Sequence, residues 1–93
     1  MKILHVSECL SAGVLDVVLR LARQQSLLGH EVSVLHVPRD NTPNTSELVS
    51  MFGDIQVRTV GSASDGLAKR LLRLRREAKE TAREGEHDIV HLH

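Results

Sequence analysis

Met1-Lys2-Ile3-Leu4-His5-Val6 runs through a short loop into Ser11-Ala12-Gly13-Val14, and Asp88-Ile89-Val90-His91-Leu92-His93 lies at the other end of the 93-residue sequence. Ile3, Leu4 and Val6 form an apolar run bounded by Ser7, the pattern of a buried strand. The period then changes. Val14, Val18, Leu21, Ala22 and Leu28 recur at helical spacing, with Asp16, Arg20, Arg23 and Gln24 on a polar side. Ser11 is placed to cap this helix and Gly29 to end it in a left-handed turn.

Working outward, Val32, Val34, Leu35 and Val37 predict a second strand, closed by Pro38 because proline cannot donate to a sheet ladder. Arg39 to Pro43 reads as loop. Asn44 or Thr45 then caps a short helix reaching Met51, with Glu47 three residues after Asn44 as in a capping box. Ile55, Val57 and Thr59 alternate with polar neighbours, which predicts a strand near the sheet edge. After the small-residue turn from Gly61 to Gly66, Leu67, Leu71, Leu74, Ala78 and Ala82 predict a long amphipathic helix ending near Gly85. Residues 88–93 form the fourth strand.

Strands alternating with helices imply right-handed parallel crossovers. The fold class is therefore α/β, a three-layer Rossmann-like half-domain. Its parallel sheet of about four strands has the order 3-2-1-4, with helices on both faces. That order sets the carboxyl ends of strands one and four side by side, where open α/β sheets bind ligands. Residues 1–93 make one domain, without linker, repeat or low-complexity tract.

Twelve basic and twelve acidic side chains cancel, so no global field argues for a nucleic-acid partner. Bases concentrate between Lys69 and Arg83. Lys69, Arg70, Arg73 and Arg76 fall largely off the leucine seam of the third helix. This is ordinarily a solvated face, with Glu77 and Glu80 in local ion pairs to Arg73 and Arg76; the alternative is weak contact with an anionic membrane surface. The single Cys9 forms no internal disulfide and fits a reducing compartment. No stretch has the roughly 18 to 20 apolar residues of a membrane span, and the amino-terminal run is too short for a signal peptide. The expected location is the cytoplasm, with a peripheral position at the inner membrane face if the basic helix face is used.

The loop into the first helix turns backbone amides and a positive dipole end toward the cleft. Ser11, Ala12 and Gly13 are the expected substrate-binding residues, through backbone groups that small side chains leave open. The glycine spacing of a dinucleotide fingerprint is absent, as is the Gly-Lys-Ser/Thr of a Walker loop. Asp40 stands where a ribose-binding acid would, but without those glycines it reads as a solvated loop acid. Cys9 reads as a buried or half-buried thiol. His91 and His93 share a strand face at a spacing that can serve a metal, with His5 on the neighbouring strand and Glu8 in its loop. No local pattern adds a third ligand, so no metal site is expected; His91 reads as a packed core residue. His93, at the strand end, reads as the polar contact in the cleft, a substrate-binding residue and the candidate for proton transfer. His30, His36 and His87 read as turn or strand-end residues.

Lys2-Ile3-Leu4-His5-Val6, Ala12-Gly13-Val14-Leu15, Gly29-His30-Glu31-Val32 and Asp88-Ile89-Val90-His91-Leu92-His93 together resemble the N-terminal portion of family 4 glycosyltransferases of the GT-B fold. The resemblance spans essentially the whole chain. It implies a retaining enzyme that moves a hexose from a nucleotide sugar to a saccharide or lipid-linked acceptor. The first of two Rossmann-like domains mainly holds the acceptor, and a C-terminal domain holds the donor. On that reading, residues 1–93 are truncated before the end of the first domain, lack the C-terminal partner domain and are inactive alone. The resemblance implies no cofactor, the nucleotide sugar being a substrate of the full-length enzyme. It implies no catalytic carboxylate pair either, because the leaving phosphate of the donor is thought to assist. The family commonly has adjacent glycines near the donor phosphates, whereas here Ala12 precedes Gly13. The alternative function is a small non-enzymatic α/β module that binds an anion or a protein. Strand four, as an edge, is also open to self-association.

Overall fold

The two ends of the chain pair with each other. The computed structural model describes residues 1–8, 10, 12–38, 42–61 and 66–93. Its elements are β1 (Lys2–Ser7), α1 (Ala12–Leu27), β2 (Glu31–His36), α2 (Thr45–Phe52), β3 (Gln56–Thr59), α3 (Leu67–Glu84) and β4 (Ile89–Leu92). The four strands are all parallel, in the order β3-β2-β1-β4. This is the Rossmann-like half-domain that the alternating periods predict.

Each face of the sheet has its own core. Leu15, Val18 and Ala22 of α1 and Leu48 and Phe52 of α2 pack on Val32 and Val34, with Leu10 and Ile55 closing the layer. On the opposite face, Leu74 and Ala78 of α3 pack on Leu4, Val6, Leu35 and Val37. The odd residues of β1 and even residues of β2 thus face α1, and their neighbours face α3, as a period of two demands. Leu4, Leu35 and Val18 are completely buried, and each side chain so removed from water contributes roughly 1.5–3 kcal/mol.

The buried stripe of α1 is rotated from the expected one. Leu15 is buried, whereas Val14 and Leu28 are 39% and 75% exposed. Val14 and Leu21 each stand about 100° around the helix from the buried Leu15 and Ala22, and Leu28 lies beyond the last residue of α1. Leu15, Val18, Leu19 and Ala22 keep the i, i+3, i+4, i+7 spacing and lie on the sheet side. α1 ends where expected, at Gly29 with φ +92°, a conformation that costs a side chain about 1–2 kcal/mol. α2 begins with Asn44, whose side chain accepts from the Glu47 backbone N–H at 2.9 Å.

The β1–β4 register is fixed at its base by Asp88. Its carboxylate accepts from the Lys2 backbone N–H at 2.8 Å, while its own N–H donates to the Lys2 carbonyl at 2.8 Å. α3 lies over β1 and β2 and does not cover β4, whose Val90 and Leu92 are 43% and 71% exposed. A groove of about 440 Å³ runs along this side, lined by Val6, Leu74, Ala78, Val90 and Leu92, with Arg75 and Lys79 also contributing. Among the described residues, no helix is long and apolar enough to cross a membrane.

Candidate functional site

The strand order sets the carboxyl ends of β1 and β4 together. Val6 pairs with Leu92, and the His93 N–H donates to the Val6 carbonyl at 2.9 Å. α1 starts five residues after β1 ends, so its first turn lies at this same end of the sheet. Ala12 is its first residue. Gly13, the next, is exposed, and a Cβ built there would meet no atom within 4 Å. The space beside the Gly13 Cα is therefore open. Ser11, Cys9 and Asp40 lie outside the described residues, so the expectations placed on them find neither support nor correction.

The register joins three histidines that stand far apart in sequence. His5 pairs directly with His91, and His93 follows two residues later on the same face. The rings of His91 and His93 stack at 4.1 Å between centroids, with His5 at 5.4 and 5.1 Å from them. Nδ1 of His5 and Nε2 of His93 are 2.8 Å apart, a hydrogen bond between neutral imidazoles. The other nitrogen of His5 is 2.7 Å from Oε1 of Gln25, which projects from α1. An N–H at Nε2 therefore donates to the amide and leaves the Nδ1 lone pair facing His93; the tautomer is assigned from this network.

His91 is not the packed core residue expected from its apolar neighbours. It is exposed, because β4 is an edge strand. The buried ring is His5, at 0% exposure on the strand one place inward. Alternation along β4 does not by itself tell a covered strand from an uncovered one.

The same crowding sets the proton affinities. Desolvation, and then charge repulsion with His91 and with His5, pushes His93 down to about 4. His5 is also lowered, chiefly by burial and secondarily by His91, against the opposing hydrogen bond from Gln25. At neutral pH both rings are uncharged, the form that accepts a proton or bonds a hydroxyl.

His36, given no role by its spacing, is 1% exposed, with Nε2 2.9 Å from the Thr59 hydroxyl of β3. Burial lowers its pKa, opposed in part by the Val37 backbone. It ties β2 to β3. His30 meets the N-terminal amine at 3.2 Å, and His87 meets the Thr81 carbonyl at 3.2 Å, both structural contacts.

On α3, Lys69, Arg73 and Arg76 are exposed around Leu72, itself 68% exposed, while Arg70 is half-buried. Glu77 does not pair along the helix as its spacing suggests. It reaches across to Arg58 of β3 at 3.2 Å, because α3 lies over the sheet with its Glu77 side turned toward that strand.

Comparison with protein-family profiles, with curated proteins and with solved structures finds no match for this chain.

Proposed function

We propose that this chain is the acceptor-side, N-terminal part of a retaining glycosyltransferase, one that moves a hexose from a nucleotide sugar to a saccharide or lipid-linked acceptor. The observation that carries the reading is the meeting of β1 and β4 at their carboxyl ends, with His93 and the open first turn of α1 at that end. Three of the stretches that resemble family 4 glycosyltransferases, residues 2–6, 12–15 and 88–93, come together there, and open α/β sheets bind ligands at that end. Gly13 offers backbone approach without a side chain, and the neutral His93 ring offers a hydrogen bond to a sugar hydroxyl. Ala12 and Ser11 complete the binding loop in this reading, and His93 is the candidate for proton transfer. In this reading the donor is held by a second domain, and the half-domain described here contributes the acceptor side.

The exposed face of α3 extends the proposal to place. Three cations around an exposed leucine suit the surface of an anionic bilayer, where a lipid-linked acceptor would be found. Cytoplasmic location at the inner face of the membrane is the corresponding proposal.

One observation favours a second reading, a non-enzymatic interaction module. Ile89, Val90 and Leu92 leave the β4 edge both unpaired and apolar, which suits pairing with another chain.

Saturation-transfer NMR against free saccharides, a lipid phosphate and several nucleotide sugars separates these readings. The transferase reading predicts weak saccharide or lipid-phosphate binding that His93→Ala abolishes. Tight nucleotide-sugar binding contradicts the division between domains. Concentration-dependent association without ligand binding favours the interaction module.

A further inference from the structure

β1 and β4 set three imidazoles on one sheet face, with a nitrogen from each of His5, His91 and His93 within 4.8 Å of the others. We propose that these three side chains form a binding site for a late first-row divalent cation, Zn²⁺ in the first instance, with a fourth position open to water or to an anionic oxygen.

The donor set suits that class of ion. Imidazole nitrogens favour zinc, copper and nickel over magnesium or calcium, and three histidines with an open position make a recurrent zinc arrangement. His5 is prepared for the role by its other nitrogen. Metal-bound histidines generally donate their second N–H to a carbonyl or carboxylate, and Gln25 Oε1 accepts from His5 Nε2 at 2.7 Å. The Nδ1 lone pair of His5 is thereby directed at the other two rings.

Little rearrangement is needed. Tetrahedral bonds of about 2.0–2.1 Å hold ligand nitrogens roughly 3.3 Å apart. The His5–His93 pair, now 2.8 Å apart, opens by about half an ångström, and His91 closes inward. His91 and His93 are exposed and have room to turn. His93 exchanges its Nε2 proton for one on Nδ1 through solvent, so the His5–His93 hydrogen bond is replaced by two metal–nitrogen bonds with no net change in protonation. The buried ring of His5 anchors the set, which distinguishes it from a chance pair of surface histidines. The inference stands apart from the transferase reading, since it uses only the register and the three rings.

Isothermal titration of chelator-treated, tag-free protein with Zn²⁺, with Co²⁺ visible absorption as a report of coordination, tests the proposal. One equivalent of Zn²⁺ binds, and the Co²⁺ complex shows the intense bands of low-coordinate nitrogen ligation. His91→Ala and His93→Ala each weaken binding at least tenfold, and Gln25→Ala weakens it about 10- to 100-fold. His30→Ala leaves it unchanged. The changed side chains at 91 and 93 are exposed, so amide NMR dispersion is expected to persist and verifies that loss of binding is not loss of fold. Absence of saturable one-to-one binding overturns the proposal, as does binding that survives the double variant His91→Ala/His93→Ala.

Discussion

The two edge strands of this sheet are finished differently. β3 presents Gln56, Arg58 and Thr59, its Val57 is half-buried, and Phe52 of α2 and Ile55 just before the strand are 3% and 7% exposed in the core beside it. A charged and polar edge of this kind resists pairing with other chains. β4 instead exposes Ile89, Val90 and Leu92, and its one polar side chain, His91, stacks on His93 just beyond the strand. Both strands bond to their inner neighbours in regular register, so the difference lies in side chains and in what covers them. The β3 flank is built for stability, and the β4 flank holds the open apolar and imidazole surface on which function is proposed.

Deleting packing at each flank sharpens that contrast most. Phe52→Ala removes a ring from the α1–α2 core and is expected to cost about 3–5 kcal/mol, whereas Leu92→Ala should stay within about 0.5 kcal/mol. Equilibrium urea unfolding measures both. Similar losses at the two sites would mean that β4 is as well covered as β3.

Acid comes next. His5, His36 and His93 all have pKa values below that of a free imidazole, so the unfolded chain binds more protons than the folded one as pH falls below about 6.5. Stability contributed by the neutral rings is full above that pH and is lost toward about 4, where His93 itself titrates. Thermal melts of chelator-treated protein should therefore show Tm falling between pH 7 and pH 4. Thr59→Val, which removes the partner of His36 on β2, and Gln25→Ala, which removes that of His5 on β1, then show which of the two buried histidines contributes more of the slope.

Asn44→Ala removes the cap of the helix that covers β3 and should cost about 1 kcal/mol, read by the same urea titration. The smallest effect on stability is expected from Leu92→Lys, within about 0.5 kcal/mol. It places a charge on the open edge and should suppress any concentration-dependent association seen by analytical ultracentrifugation. Association unchanged by this substitution would remove the β4 edge as its cause.

Much of the fold is legible locally. The changes of period at Ser11 and Gly29, the Asn44 cap and the leucine seam of α3 each state an element and its limits. Parallel crossovers then leave few strand orders to choose among, and the observed order is the one these signals favour. Two features were less accessible. Val14 and Leu15 are both apolar, and only packing decides which of them α1 turns inward. The histidine cluster depends on pairing between residues 86 or more apart, held by the Asp88 contacts to Lys2, and no local pattern encodes that register. His91 and His93 were visible as a same-face pair. The burial of His5 and the part played by Gln25 follow only from the folded sheet.

The account's central claim is that ligand chemistry lies where β1 and β4 end together. Two-dimensional amide NMR of the purified chain, titrated with saccharides and nucleotide sugars, tests it most directly. Shifts confined to Gly13, His93 and their neighbours with a saccharide or lipid-phosphate ligand are the predicted result. A well-dispersed spectrum in which these ligands move only residues around β3, or none at all, would contradict it.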